Sequence, residues 1–242
     1  MKKILMMLFN VAILISCNGN NPESSKQKYN DLYFSIDKKT HTAYVCRETR
    51  DSTNYNQLSS HVVIPDSLCV DDIVYKVVGI EDYAFSYCKS IDIIEVPESV
   101  TQIGYAAFNE CTKLRKISLS DSITYIGSRA FYMCMSLEEF NIPKKVSMIK
   151  ERTFGYCSKL KQIEFHENIS SIEKFAFTYC EGLKLVINHA KDPQKYDSIF
   201  WGTILSNVTL KVPGESIDLY RDEKGWENFG TILPIEEEGT NT

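Results

Sequence analysis

The sequence lacks the short motifs by which many enzymes and metal sites are recognised. None of the patterns GxSxG, HExxH, GxGxxG or the phosphate-binding loop occurs, so the usual signatures of hydrolases, zinc proteases and nucleotide-binding proteins are absent. There is no CxxC pair, and the isolated acids Asp71, Asp72 and Asp82 do not have the spacing of a calcium loop. We therefore expect no catalytic residue, no metal and no cofactor.

Positive charge and long apolar runs are scarce as well. The 242 residues include 27 Lys and Arg against 32 Asp and Glu, and no basic stripe occurs along the chain. A nucleic acid is therefore not an expected partner. Beyond the signal-like start, no apolar run approaches the roughly 20 residues that a membrane-spanning helix needs.

The start of the chain has the layout of a secretory signal peptide. Lys2 and Lys3 precede an almost wholly apolar run, residues 4–15, which is too short to span a bilayer as a helix. The segment LISC (14–17) resembles the lipobox of bacterial lipoproteins, which implies cleavage before Cys17 and a diacylglycerol on its sulfur. The alternative is an ordinary signal peptide followed by a chance cysteine.

A repeat of 23 residues occupies the centre of the chain. Self-similarity at such a period indicates stacked units, because one unit cannot bury its apolar side alone. The recurring columns include a phenylalanine column and a cysteine column, formed by Phe85, Phe108, Phe131, Phe154 and Phe177 and by Cys88, Cys111, Cys134, Cys157 and Cys180. An apolar-x-apolar element ends each unit, and this alternation predicts strands at residues 94–96, 117–119, 140–142 and 163–165.

The repeated segments resemble a known family. IGYAAFNECTKLRKISLSDSIT (103–124) and IGSRAFYMCMSLEEFNIPKKVS (126–147) are similar to the BspA-type leucine-rich repeat, a family that includes surface proteins of host-associated bacteria. The resemblance implies a β-rich solenoid, a leucine-rich repeat with 23-residue coils and parallel strands on one face. The flanking segments DLYFSIDKKTHTAYVC (31–46) and VTLKVPGESIDLYRDEKGWENF (208–229) resemble the N-terminal β cap and the C-terminal capping repeat of such proteins.

The resemblance and the composition together divide the chain into segments. The stretch after Cys17 has no large apolar residue and cannot offset its ordering entropy, so it is interpreted as a flexible tether. Trp226 is expected to cover the open end of the core. The predicted segments are a signal peptide (1–16), a lipid-anchored tether (17–28), an N-terminal β cap (29–75), leucine-rich repeats (76–203), a C-terminal cap (204–235) and an acidic tail (236–242).

The cysteine column has four interpretations. Catalysis would need a base, but none of the four histidines shares the repeat grid with the column. A metal would need convergent thiolates, and a disulfide is disfavoured because stacked parallel side chains keep their Cβ atoms about 4.8 Å apart. We therefore predict buried thiols that act as small apolar residues. The sequence leaves open whether Cys46 and Cys69 form a disulfide.

Two outward-facing sets of residues are candidates for binding a partner. On the predicted sheet, alternation directs a mixed polar set outward, and its candidate residues are Lys116, Glu139, Asn141, Gln162 and Glu164. On the turn side, tyrosines form a second set, which consists of Tyr87, Tyr156 and Tyr179 in one column, with Tyr105, Tyr125 and Tyr132 adding to it. Such tyrosines would form a contact strip, with half-buried packing between turns as the alternative.

A charged column follows the apolar anchor of each unit. Its members are Asp92, Arg115, Glu138, Lys161 and Lys184. The signs alternate through the first four, so opposite charges are expected to lie beside each other in adjacent coils and to support the register.

The residues and the family resemblance together predict a function. We expect an exported, non-enzymatic binding or adhesion module for an extracellular macromolecule, such as a host protein or a neighbouring cell. The protein would be a monomer, lipid-anchored through Cys17 in the outer membrane or at the cell surface of a Gram-negative bacterium, with an extracellular protein or glycan as its partner. The alternatives are a scaffolding protein of the bacterial envelope and a glycan-binding accessory lipoprotein, because a fold alone does not carry a function.

Overall fold

The computed structural model describes residues 24–48 and 58–236. The predicted signal peptide, the lipidation site Cys17 and most of the acidic tail lie outside these residues. The strands and the helix of the described part are β1 (Ser24–Tyr29), β2 (Leu32–Asp37), β3 (Thr42–Cys46), β4 (His61–Val63), β5 (Ser67–Val70), β6 (Ile73–Ile80), β7 (Ile93–Glu95), β8 (Gln102–Ile103), β9 (Lys116–Ser118), β10 (Tyr125–Ile126), β11 (Met148–Ile149), β12 (Gln162–Phe165), β13 (Ser171–Ile172), β14 (Leu185–Asn188), β15 (Thr209–Val212), α1 (Ile217–Asp222) and β16 (Thr231–Pro234).

The N-terminal cap is an antiparallel unit that merges into the repeats. β1, β2 and β3 pair antiparallel, and strict alternation in β2 directs Leu32, Phe34 and Ile36 into the core. β3 then pairs with β6 in parallel, and β6 continues through β8 to β10. The cap therefore supplies the first strand edge on which the coils stack.

The cap begins earlier than the sequence predicted. Residues 24–28 were assigned to the flexible tether, but they belong to β1, which pairs with β2 along its whole length. Backbone hydrogen bonds offset the ordering entropy of this polar segment. Lys26 adds to this, because its Nζ donates to the carbonyl oxygens of Arg47 and Glu48 at 2.9 and 3.0 Å.

The repeats form a β-solenoid with coils of about 23 residues and parallel strands, which confirms the predicted fold class. Most coils contribute a longer strand to one sheet and a short strand to another. The longer strands form the ladders β4-β7-β9 and β12-β14-β15-β16, and the short strands form β6-β8-β10 and β11-β13. Residues one period apart face each other, as Ile94 and Ile117 do.

One predicted strand is missing from the longer ladder. The structure has no strand at residues 140–142, so the ladder is interrupted between β9 and β12. Phe140 replaces the isoleucine of the two neighbouring coils, and its ring centre lies 4.9 Å from that of Phe131 and 4.6 Å from that of Phe154. A ring of this size needs room that a tight ladder does not leave, whereas Pro97, which takes the position of Pro143 two coils earlier, does not prevent β7 from pairing on both sides.

The phenylalanine column is a continuous stack in the core. Phe85, Phe108, Phe131, Phe154 and Phe177 are fully buried, and successive ring centres are 5.1, 5.2, 5.6 and 5.2 Å apart with planes within 11°. The widest gap is the one beside which Phe140 packs. Phe200 extends the stack towards the C-terminal cap at 5.4 Å.

The C-terminal cap closes this stack with aromatic side chains. Trp226 is fully buried, and its indole Nε1 donates to the carbonyl oxygen of Gln194 at 2.8 Å. Its ring meets Phe200 edge-on at 6.1 Å and Tyr220 of α1 at 5.3 Å. Trp226 therefore lies where the sequence predicted a lid over the core. Within residues 24–48 and 58–236, no helix has the length and hydropathy of a membrane-spanning segment.

Candidate binding surface

The cysteine column is a ladder of hydrogen bonds. Four free, fully buried thiols each donate to the carbonyl oxygen of a phenylalanine in the preceding coil. The pairs are Cys111 with Phe85 at 3.1 Å, Cys134 with Phe108 at 3.2 Å, Cys157 with Phe131 at 3.3 Å and Cys180 with Phe154 at 3.1 Å. In the last coil the hydroxyl of Thr203 makes the same bond to Phe177 at 3.0 Å. The column is thus polar as well as space-filling, whereas the sequence predicted only small apolar side chains.

Burial makes these thiols poor nucleophiles. It raises the pKa of the Cys134 thiol well above its ordinary value, and it raises the pKa of Cys180 to about 12. In the N-terminal cap, Cys46 is buried whereas Cys69 is exposed, and the two do not form a disulfide with each other. No group of three or more metal-ligating side chains occurs among the described residues. The column therefore contributes to stacking, and binding must use other surfaces.

The sheet face exposes all five polar candidates, Lys116, Glu139, Asn141, Gln162 and Glu164. Two of them, Glu139 and Asn141, lie in the interruption of the ladder rather than on a strand. Glu164 is engaged by His189, whose Nε2 lies 2.7 Å from its Oε1. Because its polar groups are spread out and partly engaged by neighbours, this face offers few anchors for a partner.

The charged column pairs as predicted in two places. Arg115 contacts Asp92 of the preceding coil through two nitrogens, at 3.1 and 3.2 Å, and Lys161 contacts Glu138 at 3.2 Å. These exposed pairs support the register between coils and contribute at most about 1 kcal/mol each.

The turn side carries a continuous run of aromatic rings, here called the aromatic strip and defined by Tyr132, Tyr156, Tyr179 and Trp201. Tyr132 meets Tyr156 edge-on at 5.4 Å, Tyr156 stacks on Tyr179 at 4.9 Å, and Tyr179 meets Trp201 edge-on at 5.1 Å. The three tyrosines are half-buried and Trp201 is 55 % exposed. The rings therefore pack between coils and are also accessible to a partner.

The strip differs from the predicted tyrosine column at both ends. Tyr87 is 50 % exposed but lies two coils away from the strip, because Glu110 and Met133 occupy its column in between. Trp201 was not part of the predicted tyrosine column, although it lies one residue before the column position of Tyr179 in the next coil. Tyr125 was placed on the turn side, which is wrong, because it lies on β10.

A repeated left-handed backbone position supports the strip. Every member of the column from Tyr87 to Tyr179 has a positive φ, between 51° and 66°, and Gly202 continues it at 79°. This conformation accompanies a backbone bond to the next coil, in which Tyr156 N donates to Thr178 O at 2.7 Å and Tyr179 N to Trp201 O at 3.0 Å. The column is therefore fixed by main-chain geometry, and only its last member carries the glycine that would have signalled it.

Two arginines lie over aromatic rings at the edge of the strip. The guanidinium carbon of Arg129 is 5.9 Å from the ring centre of Tyr132. That of Arg152 is 4.9 Å from the ring centre of Phe175, which in turn meets Trp201 edge-on at 6.1 Å. Arg152 is also paired with Glu151, so the strip combines partly exposed rings with a charged rim of both signs.

A separate groove opens where the N-terminal cap meets the first coils. Its volume is about 420 Å³, and it is lined by Tyr44, Ile80, Glu81, Asp82, Gln102, Gly104 and Tyr125. The groove depends on the pairing of β3 with β6, which the repeat period does not predict.

Comparison with known proteins places this geometry in a family. The family model of the BspA type leucine rich repeat region matches residues 78–207 with six copies. The chain belongs to the BspA-type leucine-rich repeat family. A search of curated proteins gives no match.

Solved structures of bacterial leucine-rich repeat proteins are similar to this chain. The T. pallidum leucine-rich repeat protein is 23% identical with a TM-score of 0.63, and the match covers 84% of this chain and 83% of that one. A leucine-rich cell surface protein from Faecalibacterium prausnitzii A2-165 is 17% identical with a TM-score of 0.48, over 86% and 72% of the two chains. A leucine-rich repeat protein from Bacteroides capillosus is 30% identical with a TM-score of 0.44, over 50% and 84%. The T. pallidum similarity supports the fold alone.

Proposed function

We propose that this BspA-type protein is an exported, lipid-anchored, non-enzymatic module that binds an extracellular protein, on a host or on a neighbouring cell. The observation that carries the proposal is the aromatic strip. The core is already filled by the phenylalanine stack, so accessible rings at Tyr156, Tyr179 and Trp201 are not needed to complete it. Tryptophan and tyrosine are the residues that most often dominate binding energy at protein interfaces.

The fixed backbone of the strip favours binding further. Because hydrogen bonds to the next coil hold Tyr156 and Tyr179 in place, little conformational entropy is lost when a partner covers the rings. The arginines Arg129 and Arg152 beside the strip supply polar contacts at its rim. A rigid aromatic centre with a charged rim is the usual composition of a protein-binding site.

The proposed anchor at Cys17 suits this position of the strip. Six residues lie between Cys17 and Ser24, and even a fully extended segment of that length spans only about 25 Å between the two. The cap would then lie close to the membrane, whereas the strip belongs to the last repeats. Stacked coils between them would hold the strip away from the lipid surface.

The test uses intact cells that carry the full-length protein. Cells are applied to a panel of immobilised extracellular proteins and to a glycan array, and binding is compared with that of cells lacking the protein. The triple variant Tyr156→Ser/Tyr179→Ser/Trp201→Ser is expected to lose about tenfold or more of the affinity, because aromatic anchors dominate such interfaces. Tyr87→Ser is the matched control, since Tyr87 has the same backbone conformation but lies outside the strip.

Two further outcomes decide between this proposal and its rivals. Binding to glycans but to no protein would favour a glycan-binding accessory lipoprotein, for which stacked tyrosine rings are also suited. Complete protection of the chain from protease added to intact cells would favour a scaffold inside the envelope. Retention of the Cys17→Ala variant in the membrane would overturn the proposed anchor.

A further inference from the structure

The groove at the cap is built by a row of residues that face outward across neighbouring strands. Strand pairing aligns Ser35 with Tyr44, Tyr44 with Gly79, Gly79 with Gln102, and Gln102 with Tyr125. A Cβ atom on Gly79 would lie only 2.7 Å from Cδ1 of Tyr44, so only glycine lets that ring approach the sheet. The Tyr44 ring and the Gln102 side chain thus lie over Gly79, and Tyr125 stands on the far side of Gln102.

The end of the groove is acidic. Glu81 accepts a hydrogen bond from the hydroxyl of Ser35, and Asp82 Oδ1 accepts one from the backbone N–H of Tyr105 at 2.6 Å. Each carboxylate is therefore held in position by one of its oxygens. None of the described residues that line the groove is a lysine or an arginine. Lys26, which continues the row on β1, directs its Nζ to the carbonyl oxygens of Arg47 and Glu48.

The later coils show how a glutamate at the column position of Glu81 is paired within the chain. The column that contains Glu81 continues through Gly104, Gly127 and Lys150 to Glu173. In the later coils, the Nζ of Lys150 lies 3.2 Å from the Oε1 of Glu173, so a lysine of the adjacent coil pairs with the carboxylate.

At Glu81 the same column offers no such partner. Among the described residues, its hydroxyl partner is Ser35 of the cap, Gly104 takes its column position in the next coil, and neither carries a charge. A Cβ atom on Gly104 would lie 2.5 Å from the backbone nitrogen of Asp82, so this coil has no space for a side chain there. Glu173 thus pairs with a lysine of its own chain. The carboxylate of Glu81, which takes the same column position, has no lysine or arginine beside it among the described residues of the groove and can accept a cation from a partner.

We propose that this groove binds a lysine or arginine side chain of a protein partner, with the cationic head at Glu81 and Asp82 and the aliphatic stem between Tyr44 and Tyr125. Carboxylates attract the charge, and the tyrosine rings contact both the stem and the cation. Tyr125 is 46 % exposed and can be covered by such a ligand. The site is distinct from the aromatic strip and does not depend on it.

The probe is a pair of short peptides, Ac-Ser-Gly-Lys-Gly-Ser-NH₂ and its acetyl-lysine counterpart, titrated into the full-length protein in detergent and followed by NMR. The lysine peptide is expected to bind with a Kd of roughly 0.1–10 mM, and acetylation, which removes the charge, to weaken it about tenfold or more. A second pair compares arginine with citrulline. Binding of the cationic peptides is expected to weaken as salt concentration rises.

Isosteric variants keep the proposal falsifiable. Glu81→Gln/Asp82→Asn retains both oxygen acceptors, so the protein is expected to fold while the affinity for the lysine peptide falls about tenfold. Glu98→Gln/Glu139→Gln removes the same charge from exposed positions elsewhere and is expected to bind normally. Tyr125→Ser is expected to weaken binding, whereas Tyr125→Phe keeps the ring and is expected to bind normally.

Three results would overturn the cation site. These are the absence of binding up to about 10 mM of either cationic peptide, equal binding of the charged and neutral peptides, and unchanged binding by Glu81→Gln/Asp82→Asn. The triple variant of the aromatic strip is expected to bind the lysine peptide normally. The two sites can therefore fail independently.

Discussion

The thiol of Cys134 donates a hydrogen bond to the carbonyl oxygen of Phe108, 3.2 Å away in the preceding coil. The same carbonyl accepts the backbone N–H of Cys111 at 3.1 Å, so each rung joins two columns of the repeat. A thiol can donate in this way only while it is protonated, and burial favours the protonated form. The ladder therefore links the stacking of coils to the protonation of their cysteines.

Thiol labelling is expected to distinguish the buried cysteines of the column from an exposed cysteine. In the native protein at pH 8, iodoacetamide is expected to modify exposed Cys69 and to leave Cys111, Cys134, Cys157 and Cys180 unmodified, because these four are fully buried. Mass spectrometry of peptides from native and denatured samples measures both sets, and Cys69 serves as the internal control. Rapid modification of Cys134 in the native state would contradict the buried ladder.

Alkaline pH is expected to weaken the fold through the same thiols. In the unfolded chain a cysteine titrates near its ordinary pKa of 9.0, whereas burial raises the pKa of Cys134 well above that value in the folded state. The unfolded state then binds fewer protons, so the free energy of unfolding falls as pH rises above 9, by about 1 kcal/mol per buried thiol up to pH 10.

Urea unfolding at pH 8, 9 and 10 measures this loss. The variant Cys134→Thr copies the residue that replaces cysteine at position 203, where the hydroxyl of Thr203 makes the equivalent bond. Between pH 9 and 10, the free energy of unfolding of this variant is expected to fall by about 1 kcal/mol less than that of the unchanged protein, because one fewer thiol titrates. This difference does not depend on how stable the variant is at pH 8. A loss of the same size in both proteins would show that Cys134 does not titrate in this range.

The stacked rings are expected to carry more stability than the exposed ones. Phe131→Ala removes a fully buried ring between Phe108 and Phe154 and is expected to cost about 3–5 kcal/mol. Phe175→Ala is the control, because Phe175 is half-buried and lies at the edge of the strip, so its loss should be clearly smaller. Equal costs in urea unfolding would show that the stack is not the main support of the core.

Replacement of two adjacent alanines by glycine is expected to change the free energy of unfolding in opposite directions. Both side chains are buried, but Ala106 has a φ of 51°, in the left-handed region that disfavours a Cβ, whereas the φ of Ala107 is not positive. Ala106→Gly is expected to raise the free energy of unfolding by about 0.5–1 kcal/mol, and Ala107→Gly to lower it by about 1–2 kcal/mol. Thermal melting of the two variants checks both signs, and destabilisation by Ala106→Gly would contradict the strained turn.

The repeat could be predicted from the sequence because each column of the 23-residue grid becomes one ladder of the solenoid. The stacked phenylalanines and the pairing of Arg115 with Asp92 follow from that spacing alone. The grid says nothing about departures from it. The polar β1 is held by its partner strand, and the left-handed positions carry ordinary side chains.

The two candidate sites show the same limit. The tyrosines of the strip were visible as part of a column, but their contact with Trp201 depends on a one-residue offset between columns. The groove depends on Tyr44 and Gly79 lying side by side on two paired strands. One strand belongs to the cap and does not follow the 23-residue repeat, and the other leads into the repeats. Such pairings are set by tertiary structure, and local patterns do not encode them.

Replacement of Phe140 is expected to restore the interrupted ladder. Phe140→Ile introduces the residue that the neighbouring coils have at this position, and the smaller side chain leaves room for residues 139–142 to pair as a strand between β9 and β12. The change in the free energy of unfolding is expected to stay below about 1.5 kcal/mol, since the lost ring volume is offset by closer stacking of Phe131 on Phe154. Hydrogen exchange is the measurement, and slower exchange of the amides at 139–142 is expected. Phe140→Leu, which has a similar volume to isoleucine without its β-branch, is the control and should restore less protection. If exchange there is as fast in Phe140→Ile as in the unchanged protein, the ring of Phe140 does not cause the interruption.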